Sequence, residues 1–357
     1  MLKVYILLAI SLILTLLSKV QAQDFSFKEE YSITEPAEIK ITTNDGNIQV
    51  LPSAGSKVEV YYIVKKDMKI IDINRAGLED KLKLEILKNQ NSIEITVNQK
   101  DGFSNWRNRM YVSFKVLVPK QTSCVLHSSD GNIHIEGLNG NQELKTSDGN
   151  IHIRNIVGNV DGRTSDGNID IDQVEGSNSL VTSDGNIQIR NIKGQLTGRT
   201  SDGNIDLSTV HGSVSMVTSD GNIVAERIQG DLDLTTSDGD IQSSNTFGNS
   251  ILKTSDGNIL FTNLSGSLKA TTSDGDIRGN VNELKNKLDL RTNDGNIDVS
   301  IPDGQGLNLA LRGEKIRTEL KNFDGTSKDH SVTGKINGGG IPVEIVASDG
   351  NVTLSYK

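Results

Sequence analysis

The chain has 357 residues, a formal net charge of -9 and only 4% aromatic residues. An acidic chain lacks the clustered basic excess of a general nucleic-acid binder, so we expect no nucleic-acid partner. The single cysteine excludes an internal disulfide. With so few aromatic residues, the core has to be built from aliphatic side chains.

The N-terminal segment 1–22 has the pattern of an export signal. An apolar run extends from Val4 to Leu17, and Val20-Gln21-Ala22 offers the small-x-Ala pattern that signal peptidase prefers. The run is about 14 residues long, shorter than the roughly 20 that span a bilayer. We therefore predict a cleaved signal peptide and no membrane span after cleavage. The mature chain is expected to be secreted or periplasmic, with attachment to the cell surface left open.

Residues 23–119 predict an N-terminal β cap that includes a first coil near Asp45. The alternating runs VEVYYIVKK, SIEITVNQ and MYVSFKVLV indicate longer strands, and RAGLEDKLKLEIL contains a short helix by its pattern. Such a cap shields the first coil edge from end-to-end aggregation.

The loop DGFSNWRNRM within the cap is the least repetitive exposed segment. Aromatic residues together with arginine are a composition typical of binding surfaces, which makes this loop a candidate binding loop. A hairpin tip that packs on the cap explains the same composition equally well. The candidate residues are Phe103, Trp106, Arg107 and Arg109.

Residues 120–301 are a regular array in which an Asp-Gly pair recurs at every eighteenth position. The array aspartates are Asp130, Asp148, Asp166, Asp184, Asp202, Asp220, Asp238, Asp256 and Asp274, with a tenth copy, Asp294, after a step that is two positions longer. Related copies stand at Asp45 and Asp349, and an isoleucine follows each array aspartate at the third position after it. We number each unit from its aspartate, so that this isoleucine occupies position +3.

Apolar residues recur at positions -6, -4, +3, +5 and +8 of each unit, and spacing by two indicates strands with one buried face. One unit is too small to bury its own core, so stacked units must pair strand on strand in parallel, at roughly 4.8 Å per coil. The sequence therefore predicts an all-β, single-stranded parallel β-solenoid of about ten 18-residue coils, right-handed because parallel crossovers nearly always are. Pro119 and Pro302 bracket the array, and no proline lies between them. Residues 302–357 are predicted to form a loop insertion and a closing coil.

The Asp-Gly pairs predict a structural turn in every coil. Glycine supplies the positive φ of a tight turn, and the aspartate accepts hydrogen bonds from the turn amides. The first such pairs are Asp130 and Gly131, Asp148 and Gly149, Asp166 and Gly167, Asp184 and Gly185, and Asp202 and Gly203. A second glycine at position +10 indicates another corner.

The alternative interpretation of the aspartates is a calcium ladder. Its column would be Asp148, Asp166, Asp184, Asp202 and Asp220, because hard cations take carboxylate oxygens. The Gly-Gly-x-Gly half of the calcium β-roll motif is missing, which favours the structural turn. We therefore expect no cofactor, with calcium as the alternative.

Four further features carry a prediction. Threonine at -2 shares parity with the buried positions, so its side chains should point inward. Asparagine at +2 should form an amide ladder, which aspartate interrupts at Asp240 and Asp276. Cys124 falls on a core position, so we expect a buried thiol. His134 and His152 should be neighbours on adjacent coils, without a third ligand for a metal.

The chain resembles the DUF4097 family of β-strand-repeat proteins, whose members are commonly labelled adhesins. The resemblance rests on the lead ending in FKVLVPK, the TSDGNI coils, and a tail of the form LRGEKIRTELKNFDG and INGGGIPVEIVASDGNVTL. It covers essentially the mature chain and implies the repeat architecture. It transfers no catalytic residue, and the adhesin function is implied by the resemblance alone.

These observations favour an exported, non-catalytic scaffold with an adhesin-like binding or structural role at the cell surface or in the periplasm. Repeated faces suit weak multivalent contact with an extracellular glycan or protein. The alternatives are a polysaccharide-active β-helix enzyme and a calcium-stabilised repeat protein. An enzyme needs a local break where acid, base and cation converge, and the uniform array indicates no such place and no catalytic residue. The sequence predicts no oligomeric state.

Overall fold

A computed structural model describes residues 25–66, 69–100 and 110–357. The predicted signal segment 1–22 and the candidate loop residues Phe103, Trp106, Arg107 and Arg109 lie outside the described residues. The fold is a parallel β-solenoid with a strand-rich cap, and helix accounts for only 2% of the described residues, so the predicted fold class is confirmed. Its handedness stays a prediction.

The N-terminal cap adds antiparallel strands to the end of the parallel stack. Its elements are β1 (Phe27–Ser32), β2 (Ala37–Thr42), β3 (Ile48–Pro52), β4 (Lys57–Lys66), β5 (Lys69–Ile70), α1 (Arg75–Lys81), β6 (Leu82–Lys88), β7 (Ser92–Gln99) and β8 (Met110–Val118). Strands β2 and β3 form the predicted first coil, and β7 and β8 pair with them in parallel on the side away from the array. Antiparallel β6 and β4 come next, and β1 pairs with β4 at the outer edge.

The single helix of the described chain is short, as predicted. Helix α1 begins after Asn74, whose side chain accepts a hydrogen bond from the backbone N–H of Gly77 at 2.8 Å. This is an N-cap contact that satisfies one free amide of the first turn. Leu78 is the residue that α1 buries in the core. No helix within the described ranges combines the length and apolar character that a membrane crossing requires.

The array consists of coils that pair in parallel with the next coil, in register except between Ile259–Thr271 and Ile277–Thr292, where the register shifts. In its first part each coil contributes two strands, namely β9 (Thr122–His127), β10 (Ile133–Glu136), β11 (Gln142–Lys145), β12 (Ile151–Val157), β13 (Val160–Arg163), β14 (Ile169–Glu175), β15 (Asn178–Val181), β16 (Ile187–Lys193), β17 (Leu196–Arg199), β18 (Ile205–His211), β19 (Val214–Val217), β20 (Ile223–Gln229) and β21 (Leu232–Thr235). In its last part the strands are longer, namely β22 (Ile241–Lys253), β23 (Ile259–Thr271) and β24 (Ile277–Thr292), followed by β25 (Ile297–Ile301). The parallel pairs place Ile151 beside Ile169 and Ile169 beside Ile187.

The predicted core positions are buried. Ile187, Ile189 and Ile192 are fully buried at positions +3, +5 and +8, and Leu232 and Leu234 are buried at -6 and -4. The same columns continue along the stack and form one hydrophobic cluster with the cap and the closing coil. The array is therefore held together by aliphatic columns that each coil extends by one residue.

Two corners of the coils from Asp130 to Asp256 have positive φ angles, and the sequence indicated only one of them. Glycine at +10 has a φ near +145° in several coils, for example +147° at Gly158 and +150° at Gly176, which confirms the predicted corner. Non-glycine residues at +7 also adopt the left-handed region, for example Asn191 at 55° and Thr209 at 61°. The chain bends there, which is why +5 and +8 are both buried although they differ in parity.

The sequence predicts glycine at +1 because of a positive φ in the turn, and this physical reason is wrong. None of the array glycines at +1 has a positive φ. What excludes a side chain is the stacking, because a Cβ on Gly203 would lie 1.9 Å from the carbonyl oxygen of Gly185. The same clash recurs from coil to coil, and Gly350 meets Gly295 in the same way. These glycines are required because the backbones of adjacent coils approach closely.

The C-terminal region contains strands where the sequence indicated a loop. They are β26 (Leu307–Arg312), β27 (Ile316–Thr318), β28 (Phe323–Lys328), β29 (Ser331–Ile336), β30 (Ile341–Ala347) and β31 (Val352–Tyr356). The closing coil of β30 and β31 stacks on β24 and β25, as expected. However, β26 and β27 pair with its other side, and β28 and β29 extend β26 in antiparallel fashion. The loop prediction for this stretch is therefore wrong.

Candidate functional site

The turn of each coil is held by threonine. The Thr200 hydroxyl accepts a hydrogen bond from the backbone N–H of Gly203 at 3.2 Å and lies 2.9 Å from the carbonyl oxygen of Ser183 and 3.0 Å from that of Gly185. Ser128 makes the equivalent contacts in the first array coil. The inward direction of the threonine column is confirmed, since these side chains are buried.

The array aspartates are exposed and take no part in these hydrogen bonds. Within the described chain, no hydrogen bond or ion pair of their carboxylates is found from Asp130 to Asp294. The prediction that aspartate accepts from the turn amides is thus corrected, because threonine already occupies that role. No three His, Cys, Asp or Glu side chains converge as a metal site anywhere in the described ranges. Calcium binding along Asp148, Asp166, Asp184, Asp202 and Asp220 stays a prediction to be tested.

The asparagine column at +2 is continuous through its two aspartates. Asn168 Oδ1 accepts a hydrogen bond from the backbone N–H of Asn186 at 2.8 Å, and the same bond joins each coil to the next. Asp240 Oδ1 accepts from Asn258 N at 2.7 Å, and Asp276 Oδ1 from Asn296 N at 2.7 Å. The aspartates therefore do not break the ladder, because its essential partner is the backbone amide.

Cys124 and the histidine pair lie where the sequence predicted them. Cys124 is 1% exposed, and its burial raises the pKa of the thiol well above the ordinary value, so the thiolate nucleophile does not form there. His134 and His152 pair in register with ring centroids 6.5 Å apart. Burial, together with the charge of His152, lowers the pKa of His134, opposed by Glu136.

A concave groove lies on the outer face of β9, β11, β13, β15 and β17, and we call it the short-strand groove. Its volume is about 780 Å³, and the first coil of the cap closes one end with Pro36 and Glu38. The groove crosses five strands, and four inter-strand steps correspond to about 19 Å along the solenoid axis. A smaller depression of about 320 Å³ continues the same face towards Asn249 and Ile251.

Two columns of mostly polar side chains line the short-strand groove, beside apolar residues such as Val125 and Val160. Position -7 contributes Ser123, Asn141, Asn159, Ser177 and Gln195, and position -5 contributes Val125, Glu143, Asp161, Ser179 and Thr197. None of the lining residues is aromatic, lysine or arginine.

The acidic side chains of the groove have nearby basic partners outside its lining. Arg163 donates two hydrogen bonds to Asp161, at 2.9 and 3.1 Å, and this contact raises the pKa of the Arg163 guanidinium. Glu143 lies 3.4 Å from His127. Register pairing places Glu143 directly beside Asp161 on the adjacent coil.

Sequence reasoning missed this groove because its columns vary in residue type. The signal was present as amide, hydroxyl and carboxylate side chains at -7 and -5, the two outward positions that flank the buried -6. However, these residue types alone do not show that the outer face is concave.

The array, its cap and its groove define a β-solenoid that presents long repeated surfaces. The chain belongs to the Toastrack DUF4097 family, whose sequence model matches residues 36–245 and 212–355. The expected family is therefore confirmed. No curated protein matches the chain.

Three solved structures are similar to this chain at low identity. A proposed cell adhesion protein of Clostridium sporogenes shares 11% identity, covers 93% of this chain and 99% of its own, and gives a TM-score of 0.16. A proposed adhesin of Bacteroides fragilis shares 13% identity, with 77% and 96% covered and a TM-score of 0.25. A proposed adhesin of Parabacteroides distasonis shares 16% identity, with 76% and 96% covered and a TM-score of 0.29. Because these TM-scores are low, the family membership of the chain rests on the sequence match alone.

Proposed function

We propose that the protein is an exported, non-catalytic scaffold that binds an extracellular glycan or protein through repeated weak contacts. The observation that carries the proposal is the short-strand groove, in which successive coils present similar polar groups at a constant spacing. Repeated sites on one rigid body multiply avidity even when each contact is weak.

The proposed location outside the cytoplasm is supported by the export pattern of residues 1–22. A rigid stack of coils also suits a surface protein, because it presents its binding face without a folding transition.

The enzyme alternative finds little support in the groove. Glu143 and Asp161 are adjacent carboxylates, but both oxygens of Asp161 are hydrogen-bonded to Arg163. The Glu143 side chain is 58% exposed, so it lacks the burial that prepares a carboxyl group as a general acid. The groove thus lacks a convergent acid, base and cation.

The test is binding of the purified protein to arrays of extracellular glycans and of cell-surface proteins, at high and low ligand density. We expect binding that strengthens steeply with density, together with no release of reducing sugar from polysaccharides. Density-independent binding, or no binding to either array, contradicts a multivalent scaffold. Sustained release of reducing sugar establishes the enzyme instead.

A further inference from the structure

We propose that the short-strand groove binds a single extended polysaccharide strand without negative charge, lying along the solenoid axis. This inference rests on the proposed binding function and specifies its ligand. It follows from the hydrogen-bonding groups that the groove presents, from its charge, and from the backbone pairing beneath it.

The groove presents amide donors in a fixed orientation. Asn141 Oδ1 accepts a hydrogen bond from the backbone N–H of Asn159 at 3.1 Å, and Asn159 Oδ1 accepts from Ser177 N at 3.0 Å. These bonds hold the carbonyl end of each amide against the next coil. In the described chain the Nδ2 groups of Asn141 and Asn159 make no hydrogen bond, so each exposed amide has two donors left for a ligand.

Carboxylate and hydroxyl acceptors accompany these donors. Glu143 stands two residues after Asn141 on the same face, and Asp161 stands two residues after Asn159. One coil further, Ser179 takes the place of the carboxylate. A sugar hydroxyl both donates and accepts a hydrogen bond, so a polyhydroxylated chain can satisfy both columns at every coil.

The carboxylates that line the groove disfavour polyanions, although Arg163 pairs with Asp161 from outside the lining. Glu38, Glu143 and Asp161 line it, and no lysine or arginine does. Like charges repel, so nucleic acids and acidic polysaccharides are disfavoured there. Neutral sugars and amino sugars offer hydrogen-bonding groups without negative charge, so they match the side chains that line the groove.

The groove does not suit a peptide that adds as a β-strand. The backbone of β11 is paired with β9 on one side and β13 on the other, and β13 is likewise paired with β11 and β15. No free strand edge is therefore available for main-chain hydrogen bonds.

Two polar residues lie beneath the groove at the buried position -6. Gln142 and Asn178 occupy the core position -6, where Val160 and Leu196 are aliphatic, and they are only 2% and 3% exposed. Each donates its amide to backbone carbonyls, at 2.8 Å to Gly140 and 2.9 Å to Gly176. The side-chain carbonyl oxygens of both residues have no hydrogen-bond partner. Both side chains lie on the buried side of their strands, as does the equally buried Ser250 at -6 outside the groove, so they support the stack rather than the ligand site.

The test compares oligosaccharides of equal length by titration calorimetry. The probes are a neutral glucan, a neutral mannan, an amino-bearing glucan and an acidic galacturonan. The structure predicts binding of at least one neutral or amino-bearing probe and none of the galacturonan. Equal or tighter binding of the galacturonan, or no binding of any neutral or amino-bearing probe, overturns the proposal.

The double variant N141D and N159D tests the donors without removing the ladder. The aspartate keeps the Oδ1 acceptor, as Asp231 does when it accepts from Asn249 N at 3.3 Å, but it lacks the Nδ2 donors. Loss of two donors should weaken binding about tenfold or more. The matched control is N168D, which makes the same change in the ladder at +2 and should bind normally. Unchanged binding by the double variant contradicts the groove site.

A different result separates this inference from the proposed function. If the arrays yield a protein ligand, and the double variant binds it normally, the groove proposal fails while the multivalent scaffold stands. If nothing binds on either array, both fail.

Discussion

Asp240 Oδ1 accepts a hydrogen bond from the backbone N–H of Asn258 at 2.7 Å, in the place where the neighbouring coils use an asparagine oxygen. The donor is a main-chain amide, which every residue except proline provides. The ladder at +2 therefore requires an acceptor oxygen at the end of a short side chain and makes no demand for an amide.

This relationship predicts how substitutions in the ladder behave. Asn186→Asp should change the free energy of unfolding by less than about 0.5 kcal/mol, because the Oδ1 acceptor is kept. Asn186→Leu should destabilise by about 1 kcal/mol through loss of the bond to Asn204 N. Urea denaturation followed by circular dichroism measures both. Equal destabilisation by Asp and Leu contradicts the acceptor role.

The turn glycines should not tolerate a methyl group. Gly203→Ala places a Cβ 1.9 Å from Gly185 O, so adjacent coils must separate, at a cost of about 3 kcal/mol or more. Gly55→Ala is the control, because a Cβ there meets nothing within 4 Å. The thermal unfolding midpoint should fall for the first variant only. A stable Gly203→Ala protein shows that the coils can separate at this corner.

The buried threonines should depend on their hydroxyl. Thr200→Val leaves the amide of Gly203 and the carbonyl of Gly185 without this partner, at a cost of about 1–3 kcal/mol. Thr200→Ser keeps the hydroxyl, as Ser128 does naturally, and should lose much less. The urea midpoint should be higher for Thr200→Ser than for Thr200→Val. A valine variant at least as stable as the serine variant contradicts the role of the hydroxyl.

The exposed aspartates should be dispensable for folding. Asp202→Ala and Asp202→Asn should both change stability by less than about 0.5 kcal/mol, because the carboxylate has no protein partner. Millimolar calcium should leave the thermal midpoint unchanged. A rise of several degrees that a chelator reverses shows instead that calcium binds the folded column.

The cap should weaken in acid through Glu29. Burial raises the pKa of Glu29, but hydrogen bonds from Tyr31, Arg75 and Tyr62 outweigh it and leave the pKa below its usual value of 4.5. A depressed pKa stabilises the folded state above pH 4.5, and this stabilisation disappears as the pH falls through the lower folded value.

The variant Glu29→Gln separates this contribution from other acid effects. It should reduce the difference in stability between pH 6 and pH 3, measured by urea denaturation at each pH. Glu319→Gln is the matched control on an exposed side chain. An unchanged pH profile in Glu29→Gln shows that the contacts of Glu29 do not stabilise the cap.

The constant period of the array was sufficient to predict which side chains are buried. Ile187 and Ile189 could be assigned to the core because their neighbours repeat at the same positions, and parity placed Thr200 inside. The hydrogen-bonding partner in the turn could not be predicted in the same way. Both Thr200 and Asp202 are able to cap a turn, and only the stacking of Gly203 on Gly185 brings the threonine hydroxyl to the amide.

The groove and the C-terminal layer depend on information that no single repeat contains. Position +7 is a threonine in one coil (Thr209) and an asparagine in another (Asn191). Both residues nevertheless adopt the left-handed φ at which the coil bends. Strand β26 (Leu307–Arg312) lies on the outer side of β30, although it precedes β30 in the chain, and the repeat does not specify that choice of strand order. That choice depends on pairing between segments distant in sequence, as when Leu307 pairs with Ile341.

The position of the closing coil has a consequence for how the protein is assembled. During synthesis from the N-terminus, coils can form one at a time, and each new coil can pair with the coil that precedes it. The layer of β26 and β27 is made earlier, and β26 also pairs with β29, but the layer is joined to the stack only when β30 and β31 lie between it and β24 and β25. Strands β30 and β31 therefore connect two layers made before them, and a chain that lacks these two strands would leave the facing edges of both layers unpaired.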